Sequence, residues 1–311
     1  MGRYVVRRLK ADGHTLEVLD KVVGGLKDVR QVDIADLSNV KKILGSFKPE
    51  LVVHLAALAG STGKGGGAES LKSPYQYFNV NFNTALSIYE SCRQLGILRV
   101  LCMSSFSPYG PTSSPINEDT PFNPNNPYGG SKACVEEIAK VYSANYGIKT
   151  VILRPPLICG EGQTEMNALR EFVTSALAGT PIKILGEGTH VREFVHPSDV
   201  ADAFSAAIFY LQSMTVSCEP FVLGSRPIRM IDLANLVVQK VGKGSIVFEP
   251  ASSQTFDQFT DHSKAKRLLG WEPKVGVDEI VTRVIDDIKF RQLRQGVDTT
   301  VGTSQLRSAG V

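Results

Sequence analysis

Short apolar runs alternate with longer amphipathic segments along this chain. The runs at residues 51–57 and 97–103 are almost entirely apolar, which is typical of strands buried on both faces of a parallel sheet. A third run at 149–154 stops at Pro155 and Pro156, which cannot donate a backbone hydrogen bond to continue a strand. The segments around these runs predict helices at residues 37–47, 74–95 and 128–146. Strands that alternate with helices predict an α/β fold with a parallel sheet.

The N-terminal part of the chain continues this alternation. Residues 3–13 predict a helix that ends at Gly13, because glycine commonly follows the last helical turn. Residues 14–20 then alternate into a strand that ends in Asp20, and a further strand is predicted at 29–36.

Polar side chains with catalytic potential follow the apolar run at 97–103. Ser104 and Ser105 end that predicted strand, at the sheet edge where active sites of open α/β folds lie. Tyr128 and Lys132 are four residues apart in the next predicted helix, so they lie one turn apart on one face. An ammonium there can lower the pKa of the phenol, as a general base working near neutral pH requires. Ser105, Tyr128 and Lys132 are therefore the candidate catalytic residues.

Three short motifs surround these residues. They are Ser104-Ser105 with Tyr109-Gly110, then Glu118-Asp119-Thr120-Pro121, then Pro127-Tyr128-Gly129-Gly130-Ser131-Lys132. With them the sequence resembles the extended short-chain dehydrogenase/reductases, and among these the NAD-dependent epimerase/dehydratase family. The resemblance extends over nearly the whole chain and implies a Rossmann-type doubly wound parallel sheet with a smaller C-terminal substrate lobe.

The resemblance also implies how the chain is divided. Residues 1–155 would form the NAD-binding domain, and residues 190–215 would return to it. Residues 156–290 would be mainly the substrate lobe. Residues 296–311 are polar and are predicted to form a flexible tail.

NAD is the cofactor that the resemblance implies. Gly2 corresponds to the last glycine of the pyrophosphate turn, and Asp20 to the acid that binds the adenosine ribose and favours NAD over NADP. Two alternative interpretations stay open: Asp20 as a turn residue, and Asn81 as a solvent-facing residue of its helix. The other positions that match cofactor-contacting positions of the family are Asp33, Ile34, Leu55, Ala56, Ala57, Asn81, Tyr128, Lys132, Pro155 and Pro156.

One expected feature is missing before the first predicted helix. In a dinucleotide-binding fold, a strand and a glycine-rich turn precede that helix, and the turn holds the pyrophosphate. Only Gly2 of that turn is found, so we hypothesise that this reading frame lacks roughly a dozen N-terminal residues that relatives use to hold the cofactor. Without that central strand, two neighbouring strands should each have an unpaired edge.

Hydride transfer through NAD is the chemistry that the resemblance implies. Tyr128 as a phenolate would take a proton from a substrate hydroxyl, Ser105 would hydrogen-bond the same oxygen, and Lys132 would stabilise the phenolate. Return of the hydride to the other face of a keto intermediate would make the reaction an epimerisation. We therefore expect a nucleotide-sugar epimerase of the 4-epimerase type. The alternatives are a net oxidoreductase acting on a sugar or another hydroxy compound, and a non-catalytic binding subunit or truncated gene product.

The positions that would bind the substrate phosphates depart in part from the family pattern. Arg192 matches an arginine that reaches a substrate phosphate, for which a guanidinium offers a planar fork of donors. Leu157, however, stands where nucleotide-sugar epimerases commonly have an asparagine against the diphosphate. Residues 249–254 also lack the second arginine of those enzymes. A smaller or non-nucleotide substrate therefore stays open.

Composition restricts the partners and the compartment. The net charge is +3 and no long basic run occurs, so nucleic acid is not an expected partner. No apolar stretch reaches the length of a membrane span, and no signal peptide is indicated. The five cysteines lack Cys-x-x-Cys spacing, which favours reduced core residues of a cytoplasmic protein and no metal site. By resemblance we expect a homodimer that forms through the helices after Pro74 and Tyr128.

Overall fold

The computed structural model describes residues 1–22, 28–59, 68–112, 115–250 and 255–305. Its helices are α1 (Gly2–Ala11), α2 (Leu37–Phe47), α3 (Ala68–Lys72), α4 (Pro74–Leu95), α5 (Pro127–Tyr146), α6 (Ala168–Ala178), α7 (Pro197–Ser213), α8 (Met230–Val241), α9 (Ser263–Leu269) and α10 (Val277–Gln305). Its strands are β1 (Val18–Asp20), β2 (Val29–Gln31), β3 (Val52–His54), β4 (Arg99–Met103), β5 (Lys149–Arg154), β6 (Leu157–Ile158), β7 (Ile182–Leu185), β8 (Val191–Arg192), β9 (Phe194–Val195), β10 (Cys218–Val222), β11 (Ile228–Arg229) and β12 (Ile246–Glu249). A short 3₁₀ turn, Ser107–Tyr109, follows β4.

A parallel sheet of four strands, in the order β10-β5-β4-β3, forms the centre of the larger domain. In β4, Val100 and Cys102 pack into the core formed with α2, α4 and α5. Leu101, between them, packs into the opposite core with α1 and α7, because successive side chains of a strand alternate between faces. Helices thus cover both faces of the sheet, and the prediction of a doubly wound α/β fold is confirmed.

The two cores explain why these segments become helices. On one face, Val40 of α2 and Ile88 of α4 are buried against the strands. On the other face, Val5 and Leu9 place one apolar stripe of α1 against Phe204 of α7. Full burial of an aliphatic side chain of this size stabilises the fold by about 1.5–3 kcal/mol, so these stripes hold both helical layers on the sheet.

A separate core lies in the C-terminal lobe. α6, α8 and α10 pack around Phe172, Leu233 and Val284, and the parallel pair β7–β12 contributes Ile182. β8 pairs with β11 and β9 pairs with β6, so the chain passes from one pair to the other at Glu193.

The C-terminal helix is longer than the sequence pattern predicted. α10 continues to Gln305, so residues 296–305 are helical where a flexible tail was expected. Residues 306–311 lie outside the described part of the chain. No described helix combines the length and the apolar character needed to cross a membrane.

A wide cleft separates β1 from β3. β1 pairs with β2, and β3 with β4, but the two pairs belong to different sheets, which agrees with the expectation of two neighbouring unpaired edges. A cavity of about 1820 Å³ lies between them and extends to the residues that follow β4. Leu16, Val53 and Leu55 are only partly buried and line this cavity, so its walls include apolar surface.

Candidate active site

The candidate active site lies at the carboxyl ends of β4 and β5. The backbone N–H of Ser104 donates to the carbonyl oxygen of Leu153 at 2.8 Å, and that of Phe106 donates to Pro155 at 3.1 Å. These bonds continue the strand pairing beyond the sheet and fix the intervening residue, Ser105. Ser105 is largely buried, yet it lines the cleft between β1 and β3.

Tyr128 is placed by the first turn of α5. The side chain of Asn126 caps this helix by accepting a hydrogen bond from the N–H of Gly129 at 2.9 Å. Gly129 also allows a close approach, because a Cβ atom there would lie 2.7 Å from the carbonyl oxygen of Ser107. The start of α5 therefore packs directly against the turn that follows Ser105.

Tyr128 and Ser105 are neighbours in the cleft. Burial raises the pKa of Tyr128 to about 12, and the hydroxyl of Ser105 opposes the increase. The ring of Tyr77 packs edge to face against Tyr128, with 6.3 Å between the ring centroids. Ser105 and Tyr128 can thus bind one substrate oxygen together, as the resemblance implied.

Lys132 does not have the effect on the pKa of Tyr128 that the sequence predicted. We expected its ammonium to lower the pKa of Tyr128, but burial of the phenol prevails in this structure. The Lys132 Nζ donates to the carbonyl oxygen of Met103 at 2.9 Å, at the end of β4. Burial lowers the pKa of Lys132 as well, so both members of the pair are shifted towards their neutral forms.

Ser107 is a site residue that the sequence analysis missed. Its backbone N–H donates to the Ser105 Oγ at 3.1 Å, and the two hydroxyl oxygens are also 3.1 Å apart. The Ser105 oxygen thus accepts from the Ser107 N–H while its hydroxyl donates to the Ser107 Oγ, which leaves one lone pair of the Ser105 oxygen for Tyr128 or a substrate. The sequence feature that could have identified Ser107 as a site residue is its position two residues after Ser105.

Most of the predicted cofactor residues line the same cleft as Tyr128. They are Gly2, Asp20, Asp33, Ile34, Leu55, Ala56, Ala57, Lys132, Pro155 and Pro156. The donor set fits a dinucleotide, because the N-terminus of α1 opens into the cleft, an acid ends β1, and small side chains follow β3. No group of three or more His, Cys, Asp and Glu within the described ranges could hold a metal ion.

Both acids of this set also stabilise local turns. The carboxylate of Asp20 accepts from the N–H of Val22 at 3.0 Å, which is the turn role that stood as the alternative, yet the side chain is exposed in the cleft. Asp33 accepts from Lys21 Nζ at 2.8 Å and from the N–H of Ala35 at 3.0 Å. Its bond to Lys21 is the main cause that lowers the pKa of Asp33.

Asn81 is buried, so the interpretation as a solvent-facing residue is wrong. Its side chain accepts from the N–H of Leu58 at 2.7 Å and donates to the Leu58 carbonyl at 3.2 Å. It also donates to Ser131 Oγ at 2.8 Å. Asn81 therefore fixes the segment after β3 to α5, and its predicted contact with the cofactor stays a prediction.

Of the two residues predicted at the substrate phosphates, only Leu157 lines the cleft. Leu157 lines the cleft with Tyr128. Arg192, in contrast, donates through Nη1 to the carbonyl oxygens of Val191 and Phe256 at 2.8 and 2.5 Å. Its guanidinium stacks on the Phe256 ring at 5.3 Å, and burial lowers its pKa. Phosphate binding by Arg192 stays a prediction, and residues 251–254 lie outside the described chain.

Comparison with known proteins identifies similar sequences over most of the chain. The model of the NAD dependent epimerase/dehydratase family matches residues 1–216. A UDP-glucose 4-epimerase of Streptococcus mutans serotype c is 31% identical over 308 residues, which cover 88% of this chain and 89% of that protein. A UDP-glucuronate 4-epimerase of Thermodesulfobacterium geofontis is 28% identical, over 82% of this chain and 77% of that protein.

Solved structures show the same similarity in three dimensions. The UDP-glucose 4-epimerase of Thermotoga maritima, solved with UDP-glucose, superimposes with a TM-score of 0.82 at 25% identity. The alignment covers 94% of this chain and 96% of that one. The UDP-glucose 4-epimerase of Thermus thermophilus, solved in complex with NAD, gives a TM-score of 0.79 at 26% identity, over 93% and 95% of the two chains.

Proposed function

The chain belongs to the NAD-dependent epimerase/dehydratase family, and we propose that it is a nucleotide-sugar 4-epimerase. The observation that carries this proposal is that Ser105 and Tyr128 lie side by side in the cleft that the predicted cofactor residues line. This arrangement would allow a hydroxyl donor and a general base to bind one substrate oxygen. Similarity to several 4-epimerases, over most of the length of each, supports position C4 as the reacting centre.

Tyr128 and Ser105 have different roles in the proposed reaction. Tyr128 takes the proton from the C4 hydroxyl of the sugar, and Ser105 hydrogen-bonds the same oxygen as it becomes a carbonyl. NAD, when bound, would supply the hydride acceptor and a positive charge. Because burial raises the pKa of Tyr128 to about 12, the phenolate needs positive charge in the cleft, to which the Lys132 ammonium would contribute.

Epimerisation requires the keto sugar to present its other face before the hydride returns. Tyr128 and Ser105 line a cleft of about 1820 Å³, which would have to hold both the cofactor and the sugar. Tyr128 then returns the proton to the C4 oxygen, so neither a proton nor the cofactor is consumed.

The proposal is tested with the full chain, added NAD and UDP-glucose or UDP-glucuronate. We expect NMR to show formation of the 4-epimer without accumulation of NADH. The Tyr128→Phe variant should lose about 10²–10⁴-fold in kcat, which is the typical contribution of a positioned acid–base group. Absence of the epimer with both substrates would overturn the proposal.

A net oxidoreductase is the second candidate. The observation that favours it is the apolar Leu157 in the cleft, together with an Arg192 that is bonded to the backbone of its own lobe. With fewer contacts to a diphosphate, a smaller sugar or hydroxy compound could be the substrate. Substrate-dependent accumulation of NADH would support this candidate over the epimerase.

We also propose a homodimer that forms through α4 and α5. These helices pack against each other, and α4 exposes Tyr75, Phe78, Phe82 and Leu86 at spacings of three and four residues. Such a stripe lies on one helical face. Two copies of the helix pair would bury it in a four-helix contact.

The unpaired, mostly buried cysteines are consistent with our expectation of a cytoplasmic protein.

A further inference from the structure

A buried ion pair that the proposed mechanism does not use joins α5 to the end of β5. Arg154 donates through Nε and Nη2 to the two carboxylate oxygens of Glu136, at 3.0 and 2.7 Å. The side chains are 3% and 0% exposed. Removing two charges from water has a large free-energy cost for each ion, so both groups need a full set of hydrogen-bond partners. The bidentate geometry supplies part of that set.

The same guanidinium also holds the turn that carries Ser105. Arg154 Nη1 donates to the Tyr109 hydroxyl at 2.6 Å and to the Glu118 carbonyl oxygen at 3.2 Å. Tyr109 is fully buried and lies four residues after Ser105, at the end of the 3₁₀ turn. Arg154 thus bonds at once to the helix of Tyr128 and to the turn of Ser105.

We propose that Arg154 and Glu136 are positioning residues, which fix α5 with Tyr128 against the turn with Ser105 by way of Tyr109. This inference rests on the proposed function. Proton transfer from a sugar hydroxyl requires Tyr128 and Ser105 within hydrogen-bonding reach of one oxygen. Since a misplacement of about 1 Å can cost about 10²-fold in rate, a rigid connection between the two segments has a direct catalytic value.

Glu136 has a second effect on the site, through Lys132 one helical turn before it. Burial lowers the pKa of Lys132, whereas the negative charge of Glu136 acts in the opposite direction. Arg154 bonds Glu136 directly and so fixes this carboxylate near Lys132. Glu136 therefore opposes, in part, the effect of burial on the Lys132 ammonium.

A purely structural ion pair is the competing explanation, and the chain offers a matched control for it. Arg170 Nη1 bonds Asp287 Oδ2 at 3.1 Å in the C-terminal lobe, and these side chains are 7% and 11% exposed. That pair joins α6 to α10, and neither of its side chains lines the cleft. Arg170→Met should therefore lower stability without changing the arrangement of the site.

The test compares Tyr109→Phe and Glu136→Gln with Arg170→Met. Tyr109→Phe removes one hydroxyl and keeps the ring, so it tests the connection even if the Glu136→Gln variant fails to fold. We expect Tyr109→Phe and Glu136→Gln each to lower kcat about tenfold or more at unchanged KM for the nucleotide-sugar. The Arg170→Met variant should keep the kcat of the wild type.

A second readout does not depend on turnover. With ¹³Cζ-labelled tyrosine, the resonance of Tyr128 is identified by its loss in Tyr128→Phe. The two site variants should shift this resonance, and Arg170→Met should not. If kcat and the resonance stay unchanged in Tyr109→Phe and Glu136→Gln while stability falls, the pair is only structural and the inference is wrong. If the wild type converts no nucleotide-sugar but the resonance still shifts, the proposed function fails and the positioning role stands.

Discussion

Glu193 is a carboxylic acid held in the interior, where the chain passes from β8 to β9. It accepts from the Thr260 hydroxyl at 2.8 Å and from the backbone N–H of Ser225 at 3.5 Å. Burial raises its pKa from 4.5 to about 7, and these bonds oppose the increase only in part. The folded protein therefore retains this proton over a range in which the unfolded chain has lost it.

This raised pKa predicts a loss of stability with rising pH. Between pH 4.5 and 7 the unfolded state binds fewer protons at this position than the folded state, so the free energy of unfolding falls. The loss amounts to about 3 kcal/mol when both states are ionised. Urea unfolding of the wild type and of Glu193→Gln across this range isolates the effect, because other titrating groups are common to both proteins. Parallel stability curves would show that Glu193 titrates normally.

At the scale of single residues, the sequence indicated which residues form the candidate site, but not the pKa values of their side chains. Tyr128, Ser105 and Lys132 could be identified because a motif fixes their spacing. The pKa of Tyr128 could not, because it depends on burial, which the neighbouring ring of Tyr77 helps to produce from a distant helix. Asn81 was ambiguous for the same reason, since its partner Ser131 is 50 residues away along the chain.

The start of α5 gives a prediction about a whole element. A Cβ at residue 129 would lie 2.7 Å from the backbone oxygen of Ser107, so Gly129→Ala must separate the helix from the turn after Ser105. We expect a loss of about 1–3 kcal/mol in stability and about a tenfold loss in kcat of the folded enzyme. Chemical unfolding and steady-state kinetics measure the two effects.

Gly45→Ala in α2 is the matched control for this substitution. Its Cβ would meet only Leu95 Cδ2 at 3.6 Å, an ordinary contact. Replacing a glycine inside a helix should then stabilise the protein by about 0.5–1 kcal/mol and leave kcat unchanged. Equal kinetic effects of Gly129→Ala and Gly45→Ala would argue against the close approach as the cause.

Elements were predictable where the signal is local. The α2 helix begins at Leu37 because Asp36 accepts from the N–H groups of Ser38 and Asn39, a cap that is visible in the sequence. Strand ends were less accurate, because pairing decides them. The apolar run at 51–57 contains only the three strand residues Val52–His54, which pair with β4 on one side.

The exposed stripe on α4 predicts the oligomeric state of the whole molecule. We expect the wild type to sediment as a dimer, at about twice 33.7 kDa. Phe82→Glu places a charge in the centre of the stripe and should give a monomer. Phe290→Glu, at a still more exposed aromatic residue of α10, should leave the dimer intact. A monomeric wild type, or a dimeric Phe82→Glu, would contradict the proposed contact.

For the whole molecule, sequence reasoning identified the fold and the sheet that carries the site. It did not predict the helical state of residues 296–305, because their polar composition gives little evidence of burial. Phosphate binding by Arg192 stays a prediction, but the sequence did not indicate that the backbone carbonyls of Val191 and Phe256 hold its guanidinium. Such contacts between distant segments depend on how the lobe packs, which local patterns do not encode.

The central claim is that the hydrogen on C4 of the sugar leaves and returns within one active site. The most direct test supplies the full chain and NAD with a nucleotide-sugar that carries deuterium at C4, and follows the product by NMR and mass spectrometry. We predict that the 4-epimer forms with the deuterium retained at C4, and that Tyr128→Phe forms almost none of it. An epimer that has lost the deuterium to solvent, or label that accumulates on reduced cofactor, would contradict the account.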